Sequence, residues 1–105
     1  MDYGSERWKK KRELILRRDG YQCQISKRYG KMIPATVVHH IYPAEDYPEF
    51  QWQNWNLISI SQAVHNALHD RYTGKLTKEG IALLNRTAQK RGLKIQYPPG
   101  KNAEK

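Results

Sequence analysis

The 105-residue sequence contains one cysteine, Cys23, which excludes an intrachain disulfide and a zinc site built only from cysteines. Long apolar runs are missing too, since no stretch approaches the roughly 20 residues that span a bilayer. The first seven residues lack the apolar core of a signal peptide. We therefore expect a cytoplasmic protein that has no membrane partner.

Acidic residues are scarce as well, because 10 Asp and Glu stand against 19 Lys and Arg, which gives a net charge of +9. Such a charge indicates a polyanionic partner, most commonly nucleic acid, although a solvated surface would also carry it. Residues 32–70 contain no Lys or Arg and four acids, whereas the basic residues lie in the two flanks. All 4 histidines of the chain fall in this middle segment.

Apolar periodicity and turn residues predict an α+β protein with the element order helix, strand, long connection, strand, helix, helix. Ser5 is a helix N-cap candidate, and Trp8, Leu14 and Ile15 are the candidate apolar face of the first helix. The expected elements are a helix over about 6–18, strands over 35–41 and 57–60, a helix capped by Ser61 that runs to about 72, and a helix over about 78–91.

The histidines form two pairs with different spacings. His65 and His69 are separated by four residues, which places two imidazoles on one face of the expected helix, where both can bind one metal ion. His39 and His40 end the first strand, and the strand–strand–helix order brings the two pairs together. A third histidine ligand would complete a site with an open position, which is typical of catalytic metals.

Strand geometry leaves one question open at this site. Successive side chains of a regular strand point to opposite faces, so His39 and His40 cannot both face the same site from a regular strand. Either the strand end is distorted, or one imidazole binds the metal while the other reaches past the edge. Periodicity does not decide which histidine is the ligand.

Three segments together resemble the motif of the HNH endonucleases, which are ββα-metal nucleases. They are Val38-His39-His40-Ile41, Asn56-Leu57-Ile58-Ser59-Ile60 and His65-Asn66-Ala67-Leu68-His69. The segment Arg18-Asp19-Gly20-Tyr21-Gln22-Cys23 is similar to the one that precedes this motif in phage and bacterial members. The resemblance implies a two-stranded antiparallel hairpin plus a helix over 35–72, flanked by N- and C-terminal helices in one domain, 1–97. Residues 98–105 are the expected flexible tail.

The resemblance also assigns roles to the histidines. His39, His65 and His69 would bind one divalent ion, and His40 would be the general base, as in the double-histidine form of the DNase colicins. Asn56 would hold the loop and orient His40 through its backbone. Mn or Mg is the expected ion for activity, and three imidazoles are also suited to Zn, Ni or Co.

One family feature is missing from the sequence. Many members carry two Cys-x-x-Cys pairs that hold a structural zinc, but here those positions are Cys23-Gln24-Ile25-Ser26 and Ser61-Gln62-Ala63-Val64. Because three of the four ligands are absent, we expect no structural zinc. Cys23 is then a small buried residue.

The expected function is metal-dependent hydrolysis of double-stranded DNA that leaves a 5′-phosphate and a 3′-hydroxyl. One site per domain predicts nicking of one strand by a monomer with low sequence specificity, and a double-strand break would need a dimer or another protein partner. The candidate nucleic-acid-binding residues are Lys9, Lys10, Lys11, Arg12, Arg17 and Arg18 on the first helix, together with Arg71 and Lys75.

Two other interpretations are compatible with parts of the pattern. In a non-catalytic, zinc-stabilised nucleic-acid-binding module, all four histidines would close one structural site. In a basic adaptor protein the histidines would be incidental, which the nine-residue spacing from Asn56 to His65 disfavours. The biological role, whether phage packaging, restriction, mobility or killing, does not follow from the sequence.

Overall fold

The structure is a computed structural model that describes residues 1–100. The predicted tail, 98–105, therefore lies mostly outside the described residues, and the domain boundary at residue 97 stays a prediction. Short 3₁₀ turns occupy Pro48–Phe50 and Asn54–Asn56. The helices and strands are α1 (Glu6–Arg18), α2 (Gln24–Arg28), β1 (Val37–His40), β2 (Leu57–Ile60), α3 (Gln62–Leu68) and α4 (Lys78–Arg91).

The two long helices begin and end where the sequence predicts. The Ser5 hydroxyl accepts a hydrogen bond from the Trp8 amide at 3.1 Å and caps α1, and the Thr77 hydroxyl accepts from the Gly80 amide at 3.2 Å and caps α4. Gly92 ends α4 in the left-handed conformation, with a φ of 67° that glycine adopts without steric cost. Hydrogen bonds from local capping residues therefore fix where both helices begin.

The hairpin lies between two apolar layers. β1 and β2 pair antiparallel, with His39 opposite Ile58 and His40 opposite Leu57. The first layer packs α1 against one face of the hairpin and consists of Trp8, Ile15, Leu16, Ala35, Val38 and Leu57. The second layer lies on the opposite face, where Ile60 packs with Leu68 of α3 and Leu83 and Leu84 of α4. This sandwich gives the α+β architecture that the sequence predicts.

Two details of α1 and β1 differ from the prediction. Leu16 is 4% exposed and belongs to the core, whereas Leu14 is 49% exposed, because the buried stripe of α1 turns toward the hairpin at Ile15 and Leu16. β1 is also shorter than predicted, since it covers Val37–His40 rather than 35–41. The short helix α2 falls in a segment that the sequence analysis leaves irregular.

The helix α3 ends at Leu68 rather than near residue 72, which corrects the prediction that His69 is helical. His69 has an extended backbone, with φ of −125° and ψ of 141°, and forms a β-bridge with Leu76. The cause is Asp70, whose carboxylate accepts hydrogen bonds from the amides of Tyr72 and Thr73 at 2.8 and 2.9 Å. This side-chain turn competes with the helical hydrogen-bond pattern and reverses the chain.

The outer edge of β2 is covered by two side chains at the C-terminal end of α1. Asp19 accepts a hydrogen bond from the Ser59 amide at 3.0 Å, and Arg18 donates to the Leu57 carbonyl at 2.7 Å. The two side chains also pair with each other at 2.9 Å. They satisfy backbone groups of an edge strand that would otherwise be open to another chain.

Asp19 makes a pH-dependent contribution to stability. Burial raises the pKa of its carboxyl, but hydrogen bonds from Arg18 and Ser59 outweigh burial, so the pKa lies below its ordinary 3.8. A depressed native pKa stabilises the fold above the unfolded pKa, and the contribution is lost as pH falls through the native pKa. We expect Asp19→Asn to lower the free energy of unfolding by about 2 kcal/mol at neutral pH. Urea unfolding should show this difference shrinking below the native pKa, and a pH-independent difference would contradict the account.

Cys23 is fully buried, as predicted. The Ser26 hydroxyl lies 3.2 Å from its Sγ, within hydrogen-bonding distance. The side chain of Cys23 packs in the second apolar layer with Ile60 and Leu84. No helix within residues 1–100 has the length and apolar character needed to cross a membrane.

Candidate active site

Three histidines from separate backbone segments meet at one end of the hairpin. His39 comes from β1, His65 from α3, and His69 from the extended residue after α3. Ring nitrogens from all three lie within 4.8 Å of one another. The structure therefore brings together the three predicted metal ligands in a group that suits a single ion.

The chemistry of these side chains fits a metal. His39 is 2% exposed, and its Nε2 has no hydrogen-bond partner among the described residues. Burial, followed by the neighbouring His69 and His65, lowers the pKa of His39 to about 3, and burial also lowers that of His65. Neutral imidazoles keep the lone pairs that bind metals, and a buried unpaired nitrogen is costly without a ligand.

His69 is held in one tautomer by the turn that ends α3. Its Nδ1 lies 3.1 Å from the Gly74 carbonyl oxygen, and because a carbonyl can only accept, Nδ1 donates. The Nε2 lone pair is then free to face the other two histidines. Such a backbone partner on the far ring nitrogen typically orients metal-binding histidines.

His40 points to the opposite face of the hairpin from His39, and this answers the question left open by strand geometry. Its ring stacks on Trp8 of α1, with a centroid distance of 5.4 Å and an interplanar angle of 21°. Both histidines nevertheless line one cavity of about 620 Å³ at the end of β1. The strand stays regular, and His40 reaches the shared cavity from the α1 side.

The ring of His40 is also fixed by a hydrogen bond. Its Nε2 lies 3.0 Å from the Gln51 carbonyl oxygen, so Nε2 donates and the lone pair is on Nδ1. Burial lowers the pKa of His40, and the Gln51 bond opposes that effect only in part. His40 is thus a neutral imidazole with an available acceptor nitrogen, separate from the three-histidine group.

Asn56 connects the end of β1 to the loop that holds His40. It is fully buried, and its Oδ1 accepts from the Tyr42 amide at 2.7 Å. Its Nδ2 donates to the carbonyls of Tyr42 and Phe50 at 3.1 and 3.2 Å. Because Gln51 follows Phe50, these bonds fix the loop whose carbonyl orients His40.

The predicted basic residues of α1 divide into several environments. Arg12 lines the shared cavity and donates to the Thr36 carbonyl at 2.7 Å. Arg18 is occupied by Asp19 and backbone carbonyls at the β2 edge, and Lys11 donates to the Asn54 side chain at 2.6 Å. Lys9 and Arg17 form exposed pairs with acidic neighbours on α1, and Lys10 lies on its solvent face.

Arg71 and Lys75 lie on the turn that follows α3. Arg71 lines a second, smaller cavity together with His65, Asn66 and His69. The three-histidine group is therefore bordered by Arg12 through the larger cavity and by Arg71 on the turn side. Lys75 is exposed at the base of the same turn.

Three contributors to the site were missed by the sequence analysis as site residues. Trp8 was expected only in the core, and Gln51 acts through its backbone carbonyl, which no side-chain pattern reveals. Tyr3 adds an aromatic edge 6.2 Å from the His40 ring. Only the position of Trp8 on the apolar face of α1 gave any signal.

Comparison with models of protein families gives no match, and a search of curated proteins gives none either. Among solved structures, the chain is similar to the HNH endonuclease of the deep-sea thermophilic bacteriophage GVE2, crystallised with a manganese ion. Sequence identity is 34%, the TM-score is 0.59, and the match covers 61% of this chain and 70% of the phage protein. With the hairpin and histidine cluster described above, this similarity shows that the chain belongs to the HNH endonuclease family.

Proposed function

We propose that the protein is a metal-dependent DNA endonuclease that nicks one strand at each site. The observation that carries this proposal is the separate placement of His40 from the three grouped histidines. Three of them form a group that suits one ion, and His40 lines the same cavity with its own free acceptor nitrogen. Metal-assisted hydrolysis needs both an electrophilic centre and a base.

His39, His65 and His69 are the proposed metal ligands. A divalent ion, when bound, supplies Lewis-acid stabilisation of the negative charge that develops on the phosphate. Mn or Mg is the proposed ion for activity, and the manganese in the phage relative supports that choice. Imidazole ligands are also compatible with Zn, Ni and Co.

His40 is the proposed general base. Its Nδ1 would take a proton from the attacking water, while Nε2 keeps its hydrogen bond to the Gln51 carbonyl. The imidazolium that forms would lie against the face of Trp8, where an aromatic ring stabilises a cation. Asn56 holds the His40-binding loop in place and binds no metal. The expected products carry a 5′-phosphate and a 3′-hydroxyl.

Double-stranded DNA is the proposed substrate, bound with low sequence specificity. Arg12 and Arg71, which border the histidine group, would contact the phosphates next to the cleaved bond. Lys75 and the other basic residues of α1 would contribute screened, sequence-independent attraction to the backbone. A monomer acting at its single metal group is expected to cut one strand per encounter.

The alternative of a closed zinc module would need all four histidines on one ion. His40 instead faces Trp8 and donates to Gln51, on the other side of β1 from His39. This arrangement favours a base over a fourth ligand.

We expect supercoiled plasmid incubated with the protein and Mn to accumulate as nicked circles before any linear product forms. The reason is that one metal group and one base act on one strand at a time. Agarose gel time courses measure this directly, with chelator-treated protein as the control. Linear product that forms at first order without a nicked intermediate would contradict single-strand cleavage.

A further inference from the structure

A basic groove runs along the side of the molecule that carries β2. Two neighbouring cavities share Arg18, Trp55 and Arg91 and so form one continuous depression. We define this basic groove by Lys11, Arg18, Trp52, Trp55, Lys90 and Arg91.

The basic groove lies on the opposite edge of the hairpin from the candidate active site. The active-site cavity is lined by Val37, Val38, His39 and His40 of β1. One of the two cavities of the basic groove is lined by Leu57 and Ile58 of β2, whose outer edge Arg18 and Asp19 cover. Neither cavity of the basic groove shares a lining residue with the active-site cavity, so a ligand in the basic groove is outside the catalytic cleft.

The charge of the basic groove is almost entirely positive. Asp19 is the one carboxylate among its described lining residues, and both of its oxygens are taken by Arg18 and the Ser59 amide. Lys90 and Arg91 are exposed at the end of α4 and form no ion pair with any described residue. The dipole of α4 stabilises these two cations at its C-terminus. Their charges remain available to a polyanion.

The aromatic residues of the basic groove indicate how a nucleic acid would be held. The guanidinium of Arg7 lies 3.9 Å from the centroid of Trp52, and that of Arg91 lies 5.7 Å from the centroid of Trp55. One face of each indole therefore carries a cation. Planar guanidinium groups fixed in this way match phosphate oxygens.

We propose that the basic groove is a second DNA-binding surface, which holds backbone phosphates of duplex DNA away from the cleavage site. The choice of DNA among polyanions rests on the proposed function, whereas the position and charge of the basic groove do not. The second surface raises the affinity for DNA and takes no part in the chemical step.

The test compares two variants that remove the same charge from two helix ends. Lys90→Ala/Arg91→Ala removes an exposed Lys-Arg pair from the last turn of α4. Lys27→Ala/Arg28→Ala removes an exposed Lys-Arg pair from the last turn of α2, outside the basic groove. Binding of a fluorescent duplex is measured by anisotropy over a range of salt concentrations. The protein is first stripped of metal with a chelator, so that binding is measured without cleavage of the duplex.

The groove variant is expected to bind roughly tenfold more weakly and to lower the salt slope of log affinity by about 2, one unit for each lost phosphate contact. The α2 variant should keep the wild-type slope. Equal losses of DNA affinity in the two variants would show that only net charge matters. An unchanged salt slope in the groove variant would show that Lys90 and Arg91 make no phosphate contacts. Either result overturns the proposal.

Plasmid nicking with Mn separates this proposal from the proposed function. The groove variant should reach the wild-type rate at saturating DNA, and a reduced rate there would overturn the non-catalytic role of the basic groove. If the wild type never cuts while the difference in salt slope remains, the proposed nuclease function fails and the basic groove stands.

Discussion

His40→Ala is expected to lower the rate of DNA nicking by about 10²–10⁴-fold, the usual contribution of a general base. The affinity for Mn should stay within a few-fold of wild type, because His40 faces Trp8 and the Gln51 carbonyl rather than the three-histidine group. Plasmid nicking and calorimetric titration with Mn on the same samples measure the two quantities.

Excess metal is the control for this variant. If His40 acts as a base, raising the Mn concentration restores nothing, since the ion is already bound. A loss of Mn affinity that matches the loss of nicking would instead make His40 a ligand and favour the closed zinc module. If His40→Ala nicks DNA at the wild-type rate, His40 has no role in the chemical step.

His65→Ala is expected to weaken Mn binding by at least about a hundredfold, more than the usual cost of losing a residue that only supports a ligand. Nicking should fall at low Mn and recover in part at high Mn, because the base and its supports are untouched. His65 is half-buried on α3, so its removal leaves a smaller packing defect than removal of the buried His39 would.

Asn66→Ala is the matched control for His65→Ala. Asn66 is the next residue on α3 and is exposed, and its side chain bonds only to Gln62 among the described residues. This variant should keep wild-type Mn affinity. Equal losses in both variants would point to damage to α3 rather than to a lost ligand, and full Mn affinity in His65→Ala would exclude His65 from the metal group.

Local sequence signals predicted the parts of the fold that local chemistry controls. Ser5 and Thr77 cap their helices by hydrogen bonds within three residues, so the starts of α1 and α4 followed from sequence alone. The end of α3 was predicted wrongly. There the carboxylate of Asp70 competes with the helix for backbone amides, and apolar periodicity does not report that competition.

The candidate site was predictable in residue types but not in arrangement. Histidine spacing and the family motif identified His39, His65 and His69, although His69 joins the group from an extended residue rather than from the helix. The alternation of side chains along β1 left open how His39 and His40 could both serve one site. The stacking of His40 on Trp8 of α1 answers that question. The Gln51 carbonyl and the basic groove depend on contacts between distant segments, which no sequence pattern contains.

Anomalous X-ray scattering from a crystal of the protein grown with Mn tests the central claim most directly. The account predicts one manganese peak bounded by ring nitrogens of His39, His65 and His69, with His40 still bonded to the Gln51 carbonyl and not coordinated. A peak that His40 also ligates, or one that lies away from the three imidazoles, would contradict the proposed division between metal ligands and base.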